Sequence, residues 1–178
     1  MKLFSSILQA KISITGPESS GKTTLARQLA LAYDCPMVPE YARLYLDGGH
    51  TISNSQDILH LAKMQIASEQ ESWNNRSKAM ICDTDILVLY IWCKEKYYPV
   101  PSALGALLHH HTYDITLLCA PDIPWEADRW RENPLDRGRL FNHYLTVLKT
   151  LKRPFAIIEG DQQSRLDYSK IILKPLIK

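Results

Sequence analysis

The sequence has little of what marks a nucleic-acid-binding, membrane or secreted protein. Its 21 basic and 19 acidic residues give a net charge of only +2, so it has no basic stripe of the kind that follows a phosphodiester backbone. The longest strongly apolar run, residues 86–93, is far shorter than the roughly 20 residues of a membrane span. Residues 1–10 contain no sustained apolar region that could serve as a signal peptide. We therefore expect a soluble, cytoplasmic protein that binds neither nucleic acid nor membrane.

The four cysteines also lack the spacing of a metal or redox site. No two of them form a C-x-x-C pair, and Cys82 and Cys119 stand inside apolar, strand-like runs, so we expect buried, reduced thiols. Three consecutive histidines, 109–111, point in different directions on any helix or strand, which favours a solvated helix end over a metal site. The sequence leaves the oligomeric state open.

Apolar, strand-like runs alternate with helical stretches, and no internal repeat, low-complexity tract or linker interrupts them. This alternation predicts an α/β fold with a five-stranded parallel sheet. Because the strands are almost continuously apolar, helices should cover both faces. The length fits one domain, residues 1–178. The expected strands are 11–15, 36–38, 79–82, 115–120 and 155–159, and the expected helices are 24–32, 52–73, 86–93, 102–110, 136–151 and 162–172.

The most specific motif is Gly16-Pro17-Glu18-Ser19-Ser20-Gly21-Lys22-Thr23, which fits the nucleotide-binding pattern G-x-x-x-x-G-K-[ST] at every fixed position. In this pattern the glycines let the backbone close around phosphates, the lysine reaches the β- and γ-phosphates, and the threonine hydroxyl binds Mg²⁺. A predicted strand precedes the motif and a predicted helix follows it, which directs the positive end of the helix dipole at the anion. We therefore expect a P-loop that binds a nucleoside triphosphate with Mg²⁺, and the motif does not distinguish ATP from GTP.

Acidic residues follow the predicted strands, where ligands of parallel α/β sheets bind. Glu40 comes after the second strand, and Asp83 and Asp85 come after the third. A phosphotransferase uses such acids to hold Mg²⁺ and to meet the attacking hydroxyl. Asp83 has the position of a Walker B acid, although both aspartates could instead cap the helix that follows.

Residues 122–139 form a second unusual stretch, in which four arginines alternate with four acids from residue 126 onward. The segment follows the fourth strand, where small P-loop kinases place a lid, and the planar arginine fork suits a transferring phosphoryl group. We expect Arg131 and Arg137 to act in this lid ahead of Arg129 and Arg139. The alternative is an exposed helix joined by salt bridges.

Several separated motifs together resemble the nicotinamide riboside kinase domain of bacterial NadR-type proteins, a family of P-loop kinases. They are the phosphate loop through Thr24, then Glu40-Tyr41-Ala42-Arg43, then Asp83-Thr84-Asp85, and finally Pro124-Trp125 with Asp128, Arg131 and Asp136-Arg137. The resemblance covers nearly the whole chain. It implies that the γ-phosphate of ATP is transferred to the ribose 5′-hydroxyl of nicotinamide riboside, which gives nicotinamide mononucleotide for NAD salvage.

The same resemblance implies a role for each site residue. The cradle for ATP would be Gly16, Pro17, Glu18, Ser19, Ser20, Gly21, Lys22, Thr23 and Thr24. Thr23 and Asp83 would hold Mg²⁺. The riboside would be bound by Glu40, Tyr41, Arg43, Asp85 and Trp125, and the catalytic residues would be Lys22, Glu40, Asp83, Arg131 and Arg137.

Two departures from the family pattern limit what the resemblance implies. NadR-type proteins usually carry an adenylyltransferase domain before the kinase, whereas here the kinase strand begins at Lys11, so dinucleotide synthesis is not expected. Pro39 stands where an aromatic residue often precedes the Glu-Tyr-x-Arg motif, which leaves the ring-stacking residue open. Two alternatives therefore remain: a P-loop kinase for another nucleoside or small alcohol, and a regulatory P-loop ATPase.

Overall fold

The structure is a computed structural model that describes residues 9–73, 77–130 and 135–177. Five parallel strands form one sheet in the order β2-β3-β1-β4-β5. The strands are β1 Ala10–Thr15, β2 Met37–Val38, β3 Ala79–Asp83, β4 Ile115–Cys119 and β5 Phe155–Ile158. The helices are α1 Lys22–Tyr33, α2 Tyr41–Asp47, α3 Ser55–Ser72, α4 Ile86–Lys96, α5 Ser102–His110, α6 Arg137–Thr150 and α7 Gln162–Leu173.

The central strand β1 shows why the sheet is covered on both faces. Its side chains alternate between the two faces, as in any strand, and Ile12 and Ile14 are fully buried in an apolar cluster with residues of α1 and α7. Ser13 and Thr15 are fully buried as well, and the Ser13 hydroxyl donates to Thr116 Oγ1 at 2.9 Å. The predicted five-stranded parallel sheet with helices on both faces is confirmed.

The opposite face carries the larger apolar cluster, which packs helices α2 to α6 together. Leu118 of β4 belongs to this cluster, whereas its neighbours Leu117 and Cys119 belong to the cluster around α1 and α7. All four cysteines are free, and both Cys82 and Cys119 are buried, as the sequence predicted.

The topology places a crevice at the carboxyl edge of the sheet. The chain leaves β1 toward β3 and β2 on one side and leaves β4 toward β5 on the other, so β1 and β4 flank the point where the strand order reverses. Ligands of open α/β sheets bind outside the strand ends at such a point. The phosphate loop follows β1 directly and therefore lies at this crevice.

Two sequence-based expectations differ from the structure. The predicted helix 52–73 begins only at Ser55, because Asn54 caps it by accepting from the backbone N–H groups of Gln56 and Asp57, and α2 was not predicted at all. The prediction of a solvated helix end is wrong for His111, since its Nε2 lies 2.6 Å from Oε2 of the buried Glu69. His109 and His110 are exposed.

Among the residues that the structure describes, no helix combines the length and apolar character needed to cross a membrane.

Candidate active site

The phosphate loop has a backbone that only glycine fits at its first position. Gly16 has φ of 138°, and a Cβ there would lie 2.6 Å from the carbonyl oxygen of Cys119 at the end of β4. Gly21 also has a positive φ, 77°, immediately before α1. Glycine adopts such angles without steric strain, so the loop can pass close to β4 and still turn into the helix.

The loop is braced internally and ends at an open helix N-terminus. Ser20 Oγ and Lys22 Nζ each donate to the Pro17 carbonyl at 2.8 Å. Helix α1 begins at Lys22 with no side-chain cap and no acidic residue in its first turn. Its first N–H groups and the positive end of its dipole are therefore directed at whatever anion the loop holds.

Asp83 supplies a carboxylate beside the first turn of α1. It ends β3 and is 3% exposed, and within the described residues its Oδ1 has no hydrogen-bond partner. Burial raises the pKa of the Asp83 carboxyl, and a hydrogen bond with the Thr23 hydroxyl opposes that rise. A hydroxyl and an unsatisfied carboxylate oxygen side by side are ligands that Mg²⁺ accepts together with phosphate oxygens, so these residues fit the ion.

Glu40 stands at the start of α2, and its carboxyl lies within electrostatic range of Lys22 and Asp83. Burial raises the pKa of the Glu40 carboxyl, the Lys22 ammonium opposes that rise, and the Asp83 carboxylate adds to it. A carboxylate with a raised pKa is a better proton acceptor near neutral pH than an ordinary glutamate.

Asp85 follows Asp83 by two residues and is 1% exposed. Its Oδ1 accepts from the Val88 backbone at 3.2 Å and from the Thr15 hydroxyl at 3.0 Å, so it caps α4. Burial raises the pKa of this carboxyl as well, and its Oδ2 has no partner among the described residues. Asp85 therefore acts as a helix cap, the role that the sequence analysis gave as its alternative. Its Oδ2 is left as an unused acceptor among the described residues.

A cavity of about 410 Å³ runs along the phosphate loop and continues between helices α2, α4 and α6. Its loop end is lined by Gly16, Pro17, Glu18, Ser19, Ser20, Gly21, Lys22, Thr23 and Thr24, the whole predicted cradle. Its far end is lined by Glu40, Ala42, Arg43, Leu46, Val88, Ile91, Trp92, Glu95, Lys96, Arg139, Leu140 and Tyr144. One cavity thus joins the nucleotide loop to a chamber of mixed apolar and charged character.

Several predicted site residues do not line this cavity. Tyr41 packs against the apolar cluster of α2 to α6, and Trp125 lies near Arg137, whose guanidinium carbon is 5.7 Å from the centroid of the Trp125 ring. Asp83 and Asp85 are likewise not among the lining residues that the structure describes. Arg131 lies outside the described residues.

The described part of the predicted lid forms a loop against α2 and the phosphate loop. Arg43 Nη1 contacts Asp128 Oδ2 at 2.8 Å, and Trp130 Nε1 donates to Asp47 at 2.9 Å. The Glu126 N–H donates to Ser19 Oγ at 2.9 Å. Contacts from one loop to both α2 and the phosphate loop place it beside both ends of the cavity.

Arg137 does not face the cavity. Its Nη1 donates to the carbonyls of Ser19, at 3.1 Å, and Ile123, at 3.0 Å. In this arrangement Arg137 links the phosphate loop to the segment after β4 instead of presenting its fork to a phosphate. Arg139 forms ion pairs with Glu95 and Asp136, which is the salt-bridged arrangement that the sequence offered as the alternative for this segment.

Sequence reasoning missed Trp92 and Tyr144 as cavity residues and Arg165 as a neighbour of the loop. A signal for Trp92 exists, because Val88, Ile91, Trp92 and Glu95 follow the i, i+3, i+4, i+7 spacing of one helix face. Tyr144 and Arg165 belong to no motif, and only the folded chain brings them to the site.

Comparisons with known proteins show which proteins this chain is similar to. A family model described as an AAA domain matches residues 11–165. The trifunctional NAD biosynthesis/regulator protein NadR of Salmonella typhimurium is 28% identical over 163 residues, which cover 86% of this chain and 39% of that protein. The chain thus spans about two-fifths of the length of this curated relative.

Solved structures share the fold. A NadR protein in complex with NR gives a TM-score of 0.78 at 19% identity, and the match covers 96% of this chain and 51% of that chain. A deoxyadenosine kinase from M. mycoides gives a TM-score of 0.61 at 15% identity, over 93% of this chain and 99% of that chain. Both comparisons place the described sheet and helices in the nucleoside-kinase-like P-loop fold.

Proposed function

This chain belongs to the AAA domain family, and we propose that it is an ATP-dependent kinase that phosphorylates the 5′-hydroxyl of nicotinamide riboside to give nicotinamide mononucleotide. The observation that carries the proposal is the single cavity that joins a complete phosphate loop to a chamber lined by Glu40, Arg43 and Trp92. The homology to NadR supports the choice of riboside. Residues 1–178 would act as one kinase domain, with a lid at about 122–139. Because ATP is the donor, we place the activity in the cytoplasm.

At the donor end, the chain would hold the triphosphate by charge and backbone geometry. The N–H groups of the loop and of the first turn of α1 bind phosphate oxygens, and Lys22 turns from the Pro17 carbonyl to the β- and γ-phosphates. Thr23 and Asp83 would hold Mg²⁺, which neutralises charge on the phosphates during transfer. Positioning and electrostatic stabilisation supply most of the catalysis in phosphoryl transfer.

At the acceptor end, we assign Glu40 to the 5′-hydroxyl. It is one of the cavity residues, it lies within the field of Lys22 and Asp83, and its raised pKa suits a group that accepts a proton as the hydroxyl attacks. Arg43, held by Asp128, would contact the ribose hydroxyls or the transferring group from the same helix.

The cationic pyridinium ring would lie against Trp92. Its side chain is part of the chamber wall. A positive charge is attracted to the face of an indole ring. Trp92 would thus supply the aromatic face that the sequence had left open at Pro39.

A kinase for another nucleoside is the second candidate, because the deoxyadenosine kinase fold matches nearly the whole chain. The chamber distinguishes the two chemically. A purine or pyrimidine pocket needs amide-type groups that pair with base edges. The described residues at the far end of this cavity include no asparagine or glutamine, and they combine aromatic and aliphatic walls with both carboxylates and cations. A regulatory ATPase would not need an acceptor chamber.

The proposed function is tested by measuring ADP release with Mg²⁺-ATP and a panel of acceptors. The panel contains nicotinamide riboside, nicotinic acid riboside, purine and pyrimidine nucleosides, and a sample without acceptor. We expect nicotinamide riboside to stimulate ADP release most, and nicotinic acid riboside less, because its extra carboxylate cancels the net positive charge that the face of the Trp92 ring attracts. Stimulation only by purine or pyrimidine nucleosides would favour the second candidate, and acceptor-independent ATP hydrolysis would favour the ATPase.

A further inference from the structure

Arg165 is a buried arginine outside every motif of the sequence. It lies in the first turn of α7 and is only 4% exposed. Its guanidinium donates from Nη1 to the Ser20 carbonyl at 2.7 Å, from Nε to the Gly160 carbonyl at 2.7 Å and from Nη2 to the Ala120 carbonyl at 2.9 Å. A buried charge of this kind is costly unless it is paired and hydrogen-bonded, so these contacts keep the side chain in one position.

These carbonyls belong to three different segments at the carboxyl edge of the sheet. Ser20 is in the phosphate loop, Ala120 follows β4, and Gly160 follows β5. Asp122 completes the arrangement, since its carboxylate pairs with Arg165 Nη2 and also accepts from the Gly160 N–H at 2.6 Å. One planar side chain therefore fixes the phosphate loop to the two strand ends beside it.

The guanidinium lies against the turn of the loop. A Cβ built on Gly21 would lie 3.6 Å from Arg165 Nη1, and Arg165 is also among the residues that line the cavity. Because the Ser20 carbonyl faces Arg165, the peptide that joins Ser20 to Gly21 has its N–H on the opposite side. Because the amide is planar, the contact between Arg165 and the Ser20 carbonyl also fixes the direction of the Gly21 N–H.

We propose that Arg165, with Asp122, is a positioning residue that holds the phosphate loop in the conformation that binds nucleotide. The proposal rests on the proposed function only in that a nucleoside triphosphate binds the loop, and it does not depend on the acceptor. A lysine cannot replace the guanidinium, because a single ammonium group cannot reach three carbonyls that lie around a planar fork.

The experiment measures nucleotide affinity in the absence of acceptor. Equilibrium binding of Mg²⁺-ATP and the melting temperature are determined for the wild type, Arg165→Lys and Asp122→Asn. Arg153→Lys is the matched control, because Arg153 Nη2 also donates to backbone carbonyls, those of Leu108 and His111, but at the amino end of β5. Steady-state kinetics then give KM for ATP and for the acceptor separately.

We expect Arg165→Lys to raise the Kd of Mg²⁺-ATP about tenfold, the size of effect that follows from losing charge-assisted hydrogen bonds. Asp122→Asn should raise it about threefold, since it weakens one anchor of the guanidinium. Acceptor KM should stay within about twofold of wild type in both. Arg153→Lys should lower the melting temperature and leave the Kd unchanged.

Two results would overturn the proposal. One is a Kd for Mg²⁺-ATP that is unchanged in Arg165→Lys while its melting temperature falls as in Arg153→Lys, which would make Arg165 a purely structural residue. If Arg165→Lys does not fold, Asp122→Asn decides, and an unchanged Kd in that variant is the second contrary result. An acceptor other than nicotinamide riboside would refute the proposed function and leave these nucleotide measurements unaffected.

Discussion

At the amino edge of the sheet, Glu69 is 1% exposed and accepts from Lys11 at 2.6 Å and from Tyr113 at 2.8 Å, and its Oε2 lies 2.6 Å from His111 Nε2. At the carboxyl edge, Asp83 is 3% exposed, and its Oδ1 has no partner among the described residues. Burial alone would raise the pKa of both groups. For Glu69 the hydrogen bonds and charges of His111 and Lys11 outweigh burial and lower its pKa, whereas for Asp83 burial prevails and the pKa is raised.

The comparison shows how one fold uses the same side-chain chemistry in two ways. A buried carboxylate whose acceptors are filled stabilises the protein, because its charge is paired and its lone pairs are used. A buried carboxylate with an unused oxygen costs stability and is the kind of group that functional sites retain for a metal or a substrate. Mutations at the amino edge should therefore lower stability and spare turnover, whereas mutations at the carboxyl edge should lower turnover and spare stability.

The largest difference should appear between the two lysines. Lys22→Ala at the carboxyl edge should lower kcat/KM about 10²- to 10³-fold, because a charge that stabilises the transferring phosphate is lost, and should change the free energy of unfolding by no more than about 0.5 kcal/mol. Lys11→Ala at the amino edge should leave turnover near normal and destabilise the fold by about 3 kcal/mol, because Glu69 loses a buried cationic partner. Steady-state kinetics and chemical denaturation check both, and the reverse pattern would refute the assignment of the two edges.

The carboxylates themselves should differ in the sign of their effect on stability. Glu69→Gln should destabilise the protein by about 2–3 kcal/mol at neutral pH, since the paired charge is lost. Because the folded pKa of Glu69 is lowered, its contribution is present above its unfolded pKa of about 4.3 and is lost as the pH falls through the folded value. The loss in Glu69→Gln should therefore shrink in acid.

In the same denaturation measurement, Asp83→Asn should not show the loss of stability expected for Glu69→Gln. The folded pKa of Asp83 is raised, so the ionised form costs stability once the pH rises above the unfolded value of about 3.9. We expect Asp83→Asn to be neutral or stabilising by up to about 1 kcal/mol at neutral pH. Strong destabilisation at neutral pH would mean that Asp83 is a structural acid like Glu69.

The Mg²⁺ dependence of turnover sharpens the comparison further. Asp83→Asn should raise the Mg²⁺ concentration for half-maximal rate about tenfold, because one carboxylate ligand is removed. In the wild type this concentration should fall as the pH rises, since Mg²⁺ competes with protons for the Asp83 carboxylate, whose pKa burial raises. Glu69→Gln, measured at a temperature where it is folded, is the control and should show the Mg²⁺ dependence of the wild type. If the Mg²⁺ dependence changes in Glu40→Gln and not in Asp83→Asn, the roles of Glu40 and Asp83 must be exchanged.

The smallest effect should come from Arg137. Its contacts with the Ser19 and Ile123 carbonyls predict that Arg137→Ala lowers kcat about fivefold, the value of roughly one hydrogen bond, and that Arg137→Lys restores little of it. Arg129, which is exposed and stacks on Trp130 at 4.2 Å, provides the control, since Arg129→Ala should retain near-normal kcat. Normal kcat in Arg137→Ala would remove Arg137 from the proposed lid.

Local sequence signals predicted the parts of the molecule that depend on local chemistry. The phosphate loop follows from fixed glycines whose positive φ angles other residues adopt only rarely, and the five strands follow from short apolar runs bounded by polar residues. Asp83 could be placed because it directly follows such a run. Glu40 could be placed at the same edge because it comes shortly after the predicted second strand.

The remaining parts depend on tertiary contacts. Helix α2 has only seven residues and no side-chain cap at Glu40, so the sequence around it carries no start signal. Trp92 and Tyr144 look like ordinary core aromatics until α4 and α6 come together around the cavity. Arg165 is separated from Ser20 by 145 residues, and no spacing rule connects an arginine in α7 to a phosphate loop.

The most direct test of the proposed activity is phosphorus NMR of the product formed from nicotinamide riboside and Mg²⁺-ATP. We predict a phosphate monoester resonance coupled to the two H5′ protons of the riboside, which appears in step with ADP and is absent with Lys22→Ala. A phosphate on another ribose position, or inorganic phosphate formed with no phosphorylated riboside, would contradict the proposal.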